Sequence, residues 1–79
     1  MSVNNAIQFI RRITDDQDFR RTCYRCDNKR ELHQMLEESG VGFIPEEFPI
    51  AFDMVHLRCQ TVEEADLIKQ AEVIYAIFP

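Results

Sequence analysis

Residues 32–48 constrain the fold more than any other stretch, because they end one helix, turn and start another. Apolar residues recur there at helical spacing before Gly40, which can adopt the left-handed conformation of a helix C-cap at no steric cost: Leu32, Met35 and Leu36. Pro45 then suits the first turn of a helix. We expect the two apolar residues before it, Phe43 and Ile44, to pack into the core beneath the turn. The stretch predicts two consecutive helices with a tight connection.

Four further positions carry a side chain that can begin a helix: Ser2, Thr14, Asn28 and Thr61. Three of them, Thr14, Asn28 and Thr61, are followed three residues later by Glu or Gln, the spacing of a capping box. The first helix has an apolar face of Val3, Ala6, Ile7, Phe9, Ile10 and Ile13. The second is predicted to start near Asp15 and to bury Phe19, Cys23 and Cys26.

The second half of the chain predicts two more helices. Pro49 disfavours a regular turn around it, so we expect a short turn at 45–48 and a helix over 49–58. That helix is apolar on two stripes and should be central to the core: Ile50, Met54 and Leu57, and Ala51, Phe52, Val55 and Cys59. Residues 61–78 keep one helical period, although residues 73–78 also have strand propensity.

These signals predict an all-α protein, a small single domain over residues 1–79 with four to five short helices. The alternative is an α fold with a C-terminal strand pair, in which residues 73–78 pair with residues 52–57. At 79 residues there is room for one small core.

Charge is divided unevenly along the chain. Residues 1–30 hold seven basic and four acidic residues, a net charge of +3, whereas residues 31–79 hold two and ten, a net charge of −8. The acidic half would repel phosphates, which argues against nucleic acid as a partner. Either the basic and acidic rims face each other, or a basic surface steers an acidic partner: Arg11, Arg12, Arg20, Arg21 and Arg25.

The sequence has no apolar run typical of a signal peptide and none approaching the ~18 residues of a membrane span. Its three cysteines are an odd number for a disulfide framework and favour a reducing compartment. We therefore expect a cytoplasmic protein without a membrane partner.

Two spaced pairs, Cys23-x-x-Cys26 and His56-x-x-Cys59, have the residue types of a zinc site or a thiol redox centre. Both pairs lie on predicted helices rather than on the turns that usually hold zinc, and the first is not at a helix start. The competing interpretation is that the three cysteines are small core residues. We assign no metal ligand and no cofactor from these pairs.

No pattern of a catalytic site is present. His33 and His56 have no serine, cysteine or carboxylate partner at a recognisable spacing, and there is no glycine-rich phosphate loop. Adjacent glutamates such as Glu37 and Glu38 point apart on a helix. We predict that the protein is not an enzyme.

Several of these positions together resemble the Nif-eleven family of small proteins associated with nitrogen fixation or with leaders of modified peptides. The matching residues are Ser2, Ala6, Phe9-Ile10, Thr14-Asp15, Phe19-Arg20, Met35-Leu36-Glu37-Glu38-Ser39-Gly40, Phe43 and Pro45-Glu46-Glu47-Phe48. They cover about the first two thirds of the chain. The family often has a hydroxyl or acid where Ile44 stands, and the three cysteines lie outside the matched pattern.

The resemblance implies a helical protein linked to nitrogen fixation. Because residues 76–79 contain no double-glycine cleavage site, we expect the free-standing branch rather than a leader. The main functional prediction is an adaptor or regulator that binds a protein partner, such as a nitrogenase component, through Arg12, Arg20 and Arg21. The alternatives are the zinc or thiol protein and a leader-type domain read by a maturation enzyme. A homodimer is left open, because the large apolar residues exceed what so small a core needs, among them Phe9, Phe48, Phe52 and Phe78.

Overall fold

Five α-helices make up the computed structural model, which describes residues 2–78: α1 (Val3–Asp15), α2 (Gln17–Tyr24), α3 (Lys29–Glu38), α4 (Glu47–Leu57) and α5 (Val62–Ile77). The predicted all-α class is confirmed. The alternative with a C-terminal strand pair is wrong, because α5 continues to Ile77 and residues 2–78 contain no strand. None of the five helices is both long enough and apolar enough to cross a lipid bilayer.

Three predicted N-caps are confirmed. In each, a side-chain oxygen accepts a hydrogen bond from the amide three residues later: Ser2 from Asn5 at 3.1 Å, Asn28 from Glu31 at 2.9 Å and Thr61 from Glu64 at 3.1 Å. The glutamates of the two capping boxes reach one residue further back than expected, to the amides of Asp27 and Gln60. Local sequence therefore sets where α1, α3 and α5 begin.

The predicted cap at Thr14 is wrong. Thr14 lies inside α1, where its hydroxyl donates to the carbonyl of Arg11 at 2.8 Å. Asp16 is the cap of α2 instead, since its Oδ1 accepts from the amide of Phe19 at 3.1 Å. The amide of Asp16 also donates to the carbonyl of Arg12, at 2.8 Å. One residue thus ends α1 and begins α2, and α2 starts at Gln17 rather than near Asp15.

The turn after α3 has the geometry predicted from Gly40. Gly40 has a φ of +80°, and its amide donates to the carbonyl of Glu37 at 3.1 Å. The amide of Val41 donates to the carbonyl of Leu36 at 2.9 Å, which completes a Schellman motif. Phe43 is buried as expected, but its neighbour Ile44 is exposed and does not pack into the core.

Helix α4 begins at Glu47, two residues earlier than predicted. Pro49 occupies its first turn, where amides have no partner within the helix, so the missing N–H of proline costs little. The stripe of Ala51, Phe52, Val55 and Cys59 faces the core, with Ala51 and Val55 buried and the other two partly buried. Phe48 is buried beside it. The stripe of Ile50, Met54 and Leu57 is exposed, with Leu57 at 83%. The expectation that α4 is the central helix is therefore wrong.

The central helix is α1, which packs against α2, α4 and α5. Its buried face is the predicted one, with Ala6, Phe9, Ile10 and Ile13 fully enclosed. The ring of Phe9 lies in an aromatic cluster, with centroids 5.4–6.2 Å from those of Phe19, Phe43, Phe48 and Tyr75. Helices α2, α4 and α5 and the turn after α3 each contribute one or more of these rings, so the cluster ties the domain together.

Candidate functional site

The predicted binding residue Arg12 is held at the junction of α1 and α2. Its guanidinium carbon lies 4.1 Å from the ring centroid of Phe19, within the range of a cation–π contact. Its Nη2 is 3.8 Å from Oδ2 of Asp16, the residue that caps α2. Two contacts therefore fix the position of Arg12 while its side chain stays partly exposed.

Arg20 and Arg21 follow Phe19 directly on α2. Arg21 is exposed and Arg20 is partly buried, and neither forms an ion pair with a carboxylate of residues 2–78. Because successive helical residues point about 100° apart, the two side chains leave α2 in different directions. Arg12 contacts Phe19, the residue that directly precedes Arg20 and Arg21 on α2. We call Arg12, Arg20 and Arg21 the arginine surface.

Ion pairing shows how the uneven charge is distributed in the folded chain. Within residues 2–78 there is a single ion pair, between Arg12 and Asp16, and both belong to the basic half of the sequence. The basic and acidic rims are therefore not joined by an ion pair within the described residues; that they face each other stays a prediction. Of the four arginines of α1 and α2, Arg11 and Arg21 are exposed, and Arg12 and Arg20 are partly buried.

The four residues considered for zinc or redox chemistry do not form a site. Cys23 is fully buried, whereas His56 is exposed and its ring stacks on Phe52 with centroids 5.7 Å apart. Cys26 and Cys59 are partly buried, and their thiols lie near backbone carbonyls of their own turns. Among residues 2–78 there is no group of three or more His, Cys, Asp or Glu that could hold a metal ion.

The pKa values of the thiols of Cys23 and Cys26 also argue against a redox centre. Burial, with the neighbouring Cys26 adding to it, raises the pKa of Cys23 to about 12. Burial and nearby carboxylates also raise the pKa of Cys26. A redox cysteine needs a lowered pKa to supply thiolate. The interpretation of the cysteines as core residues is thus confirmed for Cys23, whereas Cys26 and Cys59 are only partly buried.

A polar network that sequence spacing did not reveal joins α3, the following turn and α5. Nδ1 of His33 lies 2.9 Å from the carbonyl oxygen of Phe43, and Nε2 lies 2.7 Å from the hydroxyl of Tyr75. A carbonyl can only accept, so Nδ1 carries the proton and Nε2 accepts from Tyr75. Burial lowers the pKa of His33 and, with the charge of Glu46, raises that of Tyr75 to about 12. Both groups are therefore neutral, and the network fixes the turn against α5.

An open cleft of about 380 Å³ lies between α1, the end of α4 and the start of α5. Its floor is apolar and its rim carries both signs of charge, from Arg11, Asp15, Arg58 and Glu64. No set of convergent polar groups marks it for a particular small molecule.

The large aromatic residues that suggested a homodimer are not surface residues. Phe9, Phe48 and Phe78 are buried and Phe52 is partly buried. Exposed apolar side chains lie elsewhere, in α4 and α5, and most of them are aliphatic: Ile50, Met54, Leu57, Val62, Leu67, Val73 and Ile77. Tyr24 and Ile44 are exposed apolar residues outside these two helices.

Comparison of the chain with protein-family models, with curated proteins and with solved structures gave no match.

Proposed function

We propose that this protein is a non-catalytic interaction module that binds an acidic segment of a partner protein through the arginine surface. One observation carries the proposal: the positive charge of α1 and α2 has a single ion pair within residues 2–78, and that pair involves only Arg12. Arginine is well suited to such a role, because its planar guanidinium can form two parallel hydrogen bonds to one carboxylate.

The three arginines have different parts in this proposal. Arg12 is positioned in advance by Phe19 and Asp16, so it loses little side-chain freedom when a partner binds. Arg20 and Arg21 form no ion pair with a carboxylate of the described residues and supply most of the steering charge. Contacts of this exposed kind contribute about 0.5 kcal/mol each, so losing all three should weaken binding roughly tenfold.

The resemblance to the Nif-eleven family supports a more specific version of the proposal. In that version the protein works in the cytoplasm of nitrogen-fixing cells and its partner is a component of nitrogenase or of its assembly. The three free cysteines agree with a reducing compartment.

The test is affinity capture from source cells grown with and without fixed nitrogen, followed by mass spectrometry and binding measurements on the captured protein. The baits are the wild type, Arg12→Ala/Arg20→Ala/Arg21→Ala, and a matched control, Lys29→Ala/Arg30→Ala/Arg58→Ala. The control loses the same charge from positions outside α1 and α2.

We expect an acidic partner that the wild type and the control bind alike and that the first triple variant binds about tenfold more weakly. The difference should shrink as salt is raised, because salt screens exposed charges. Equal losses for both triple variants would mean that only net charge matters, and unchanged binding of the first would refute the arginine surface. A partner captured equally under both growth conditions would remove the link to nitrogen fixation.

A further inference from the structure

The outward stripe of α5 has the spacing of a coiled-coil seam. Val62, Asp66, Lys69 and Val73 follow one another at intervals of four, three and four residues, which keeps them on one side of the helix. All four side chains are exposed, with Val62 at 77% and Val73 at 60%. We call these four residues the α5 seam. It lies opposite the face that Ala71, Ile74 and Tyr75 bury in the core.

The order of residue types along the α5 seam is apolar, acidic, basic, apolar. A second copy of α5 running in the opposite direction would place Val62 against Val73 and Asp66 against Lys69, and a twofold axis would repeat both pairs. A copy running in the same direction would place Asp66 against Asp66 and Lys69 against Lys69, which is repulsive. The seam is complementary to itself only when the helices are antiparallel.

We propose that a second copy of this chain docks antiparallel on the α5 seam and forms a twofold-symmetric dimer. Asp66 and Lys69 can pair with a second copy, because neither is in an ion pair among residues 2–78. This surface is distinct from the arginine surface, so the proposal does not depend on the proposed function.

The surroundings of the α5 seam extend the contact. Tyr24, at the end of α2, is 54% exposed and lines a shallow groove together with Asp66, Lys69 and Val73. Ile77 continues the stripe by another four residues and is exposed as well. A contact of one helix and one aromatic side chain is at the small end of specific interfaces, so we expect a dissociation constant on the order of micromolar.

The exposed stripe on α4 does not offer the same match. Ile50, Met54 and Leu57 are accompanied by the acidic Asp53, and an antiparallel copy brings no basic residue opposite it. Charge therefore favours α5 over α4 as the contact between copies.

Charge exchange on the α5 seam tests the proposal by sedimentation equilibrium over a concentration series. Asp66→Lys and Lys69→Asp each place like charges opposite one another and should weaken the dimer at least tenfold. The double variant Asp66→Lys/Lys69→Asp restores opposite charges across the twofold axis and should return to within about threefold of the wild type. Glu38→Lys is the control, an exposed charge reversal on α3 away from the seam, and should not change the dimer.

Circular dichroism of each variant checks that the helices are retained. A wild type that stays monomeric at several hundred micromolar would overturn the proposal. So would single variants that dimerise like the wild type, or a double variant that stays as weak as the single ones.

Discussion

Replacing Tyr75 by Phe removes one hydroxyl and keeps the rest of a buried ring. The ring of Tyr75 stacks on that of Phe48, with centroids 4.2 Å apart and planes 15° from parallel, and the variant retains this contact. What it loses is the 2.7 Å hydrogen bond to Nε2 of His33. Nδ1 remains bound to the carbonyl of Phe43, so the imidazole cannot turn to satisfy Nε2 without breaking a second hydrogen bond.

A hydrogen bond of this kind contributes about 1 kcal/mol net, and leaving a partly buried acceptor without a donor costs a similar amount. We expect Tyr75→Phe to lower the free energy of unfolding by about 1 kcal/mol. In a domain of this size that corresponds to a fall in Tm of roughly 4–8 °C. A decrease of this size is measurable, because the whole free energy of unfolding of such a chain is typically roughly 4–12 kcal/mol.

The assay is urea unfolding at neutral pH and one protein concentration, with Tyr24→Phe as the matched control. Tyr24 loses the same atom, but it is exposed and its hydroxyl has no hydrogen bond within the described residues. The control should change stability by less than about 0.3 kcal/mol. If Tyr75→Phe is no more destabilising than Tyr24→Phe, then the His33–Tyr75 bond does not stabilise the fold.

Three further outcomes follow from the structure. Burial lowers the pKa of His33 below its ordinary value of 6.5, so the unfolded chain takes up a proton before the folded chain does as pH falls. The free energy of unfolding should therefore decrease below about pH 6.5. His33→Gln should make that decrease smaller in urea titrations. Asp16→Ala should cost about 1 kcal/mol by the same assay, whereas Thr14→Ala should cost clearly less; the reverse order would restore Thr14 as the cap of α2. With a thiol reagent at pH 8, Cys26 should react in the folded protein and Cys23 only when urea unfolds it; equally fast reaction of both would contradict the burial of Cys23.

Helix caps and turns that depend on residues close in sequence were predictable. Features that depend on packing between helices, such as which face of α4 is buried, were not. The caps at Asn28 and Thr61 and the turn at Gly40 depend on side chains within four residues, so spacing alone identifies them. Thr14 and Asp16 can both cap a helix. Because α1 continues past Thr14 to Asp15, Asp16 is the residue left to cap α2. Helix α4 has two apolar stripes, and its periodicity cannot tell which one faces α1.

The candidate site was predictable only in part, for the same physical reason. The basic composition of residues 1–30 identifies the arginine surface, but the position of Arg12 over Phe19 depends on how α1 and α2 cross. The partners His33 and Tyr75 are 42 positions apart, and no local pattern links them. The spacing of Cys23-x-x-Cys26 and His56-x-x-Cys59 looked specific, yet it says nothing about whether two helices present those faces to each other.

The central position of α1 also has a consequence for synthesis. The ribosome makes α1 before α4 and α5, the helices that cover much of its apolar face. At roughly 5–20 residues per second, that face waits about 3–12 s for α5 to emerge. During this interval Phe9 lacks the ring of Tyr75, although Phe19, Phe43 and Phe48 are already made. The nascent chain thus exposes part of its apolar face until α5 closes the core, and a chain interrupted before Val62 would keep that part exposed.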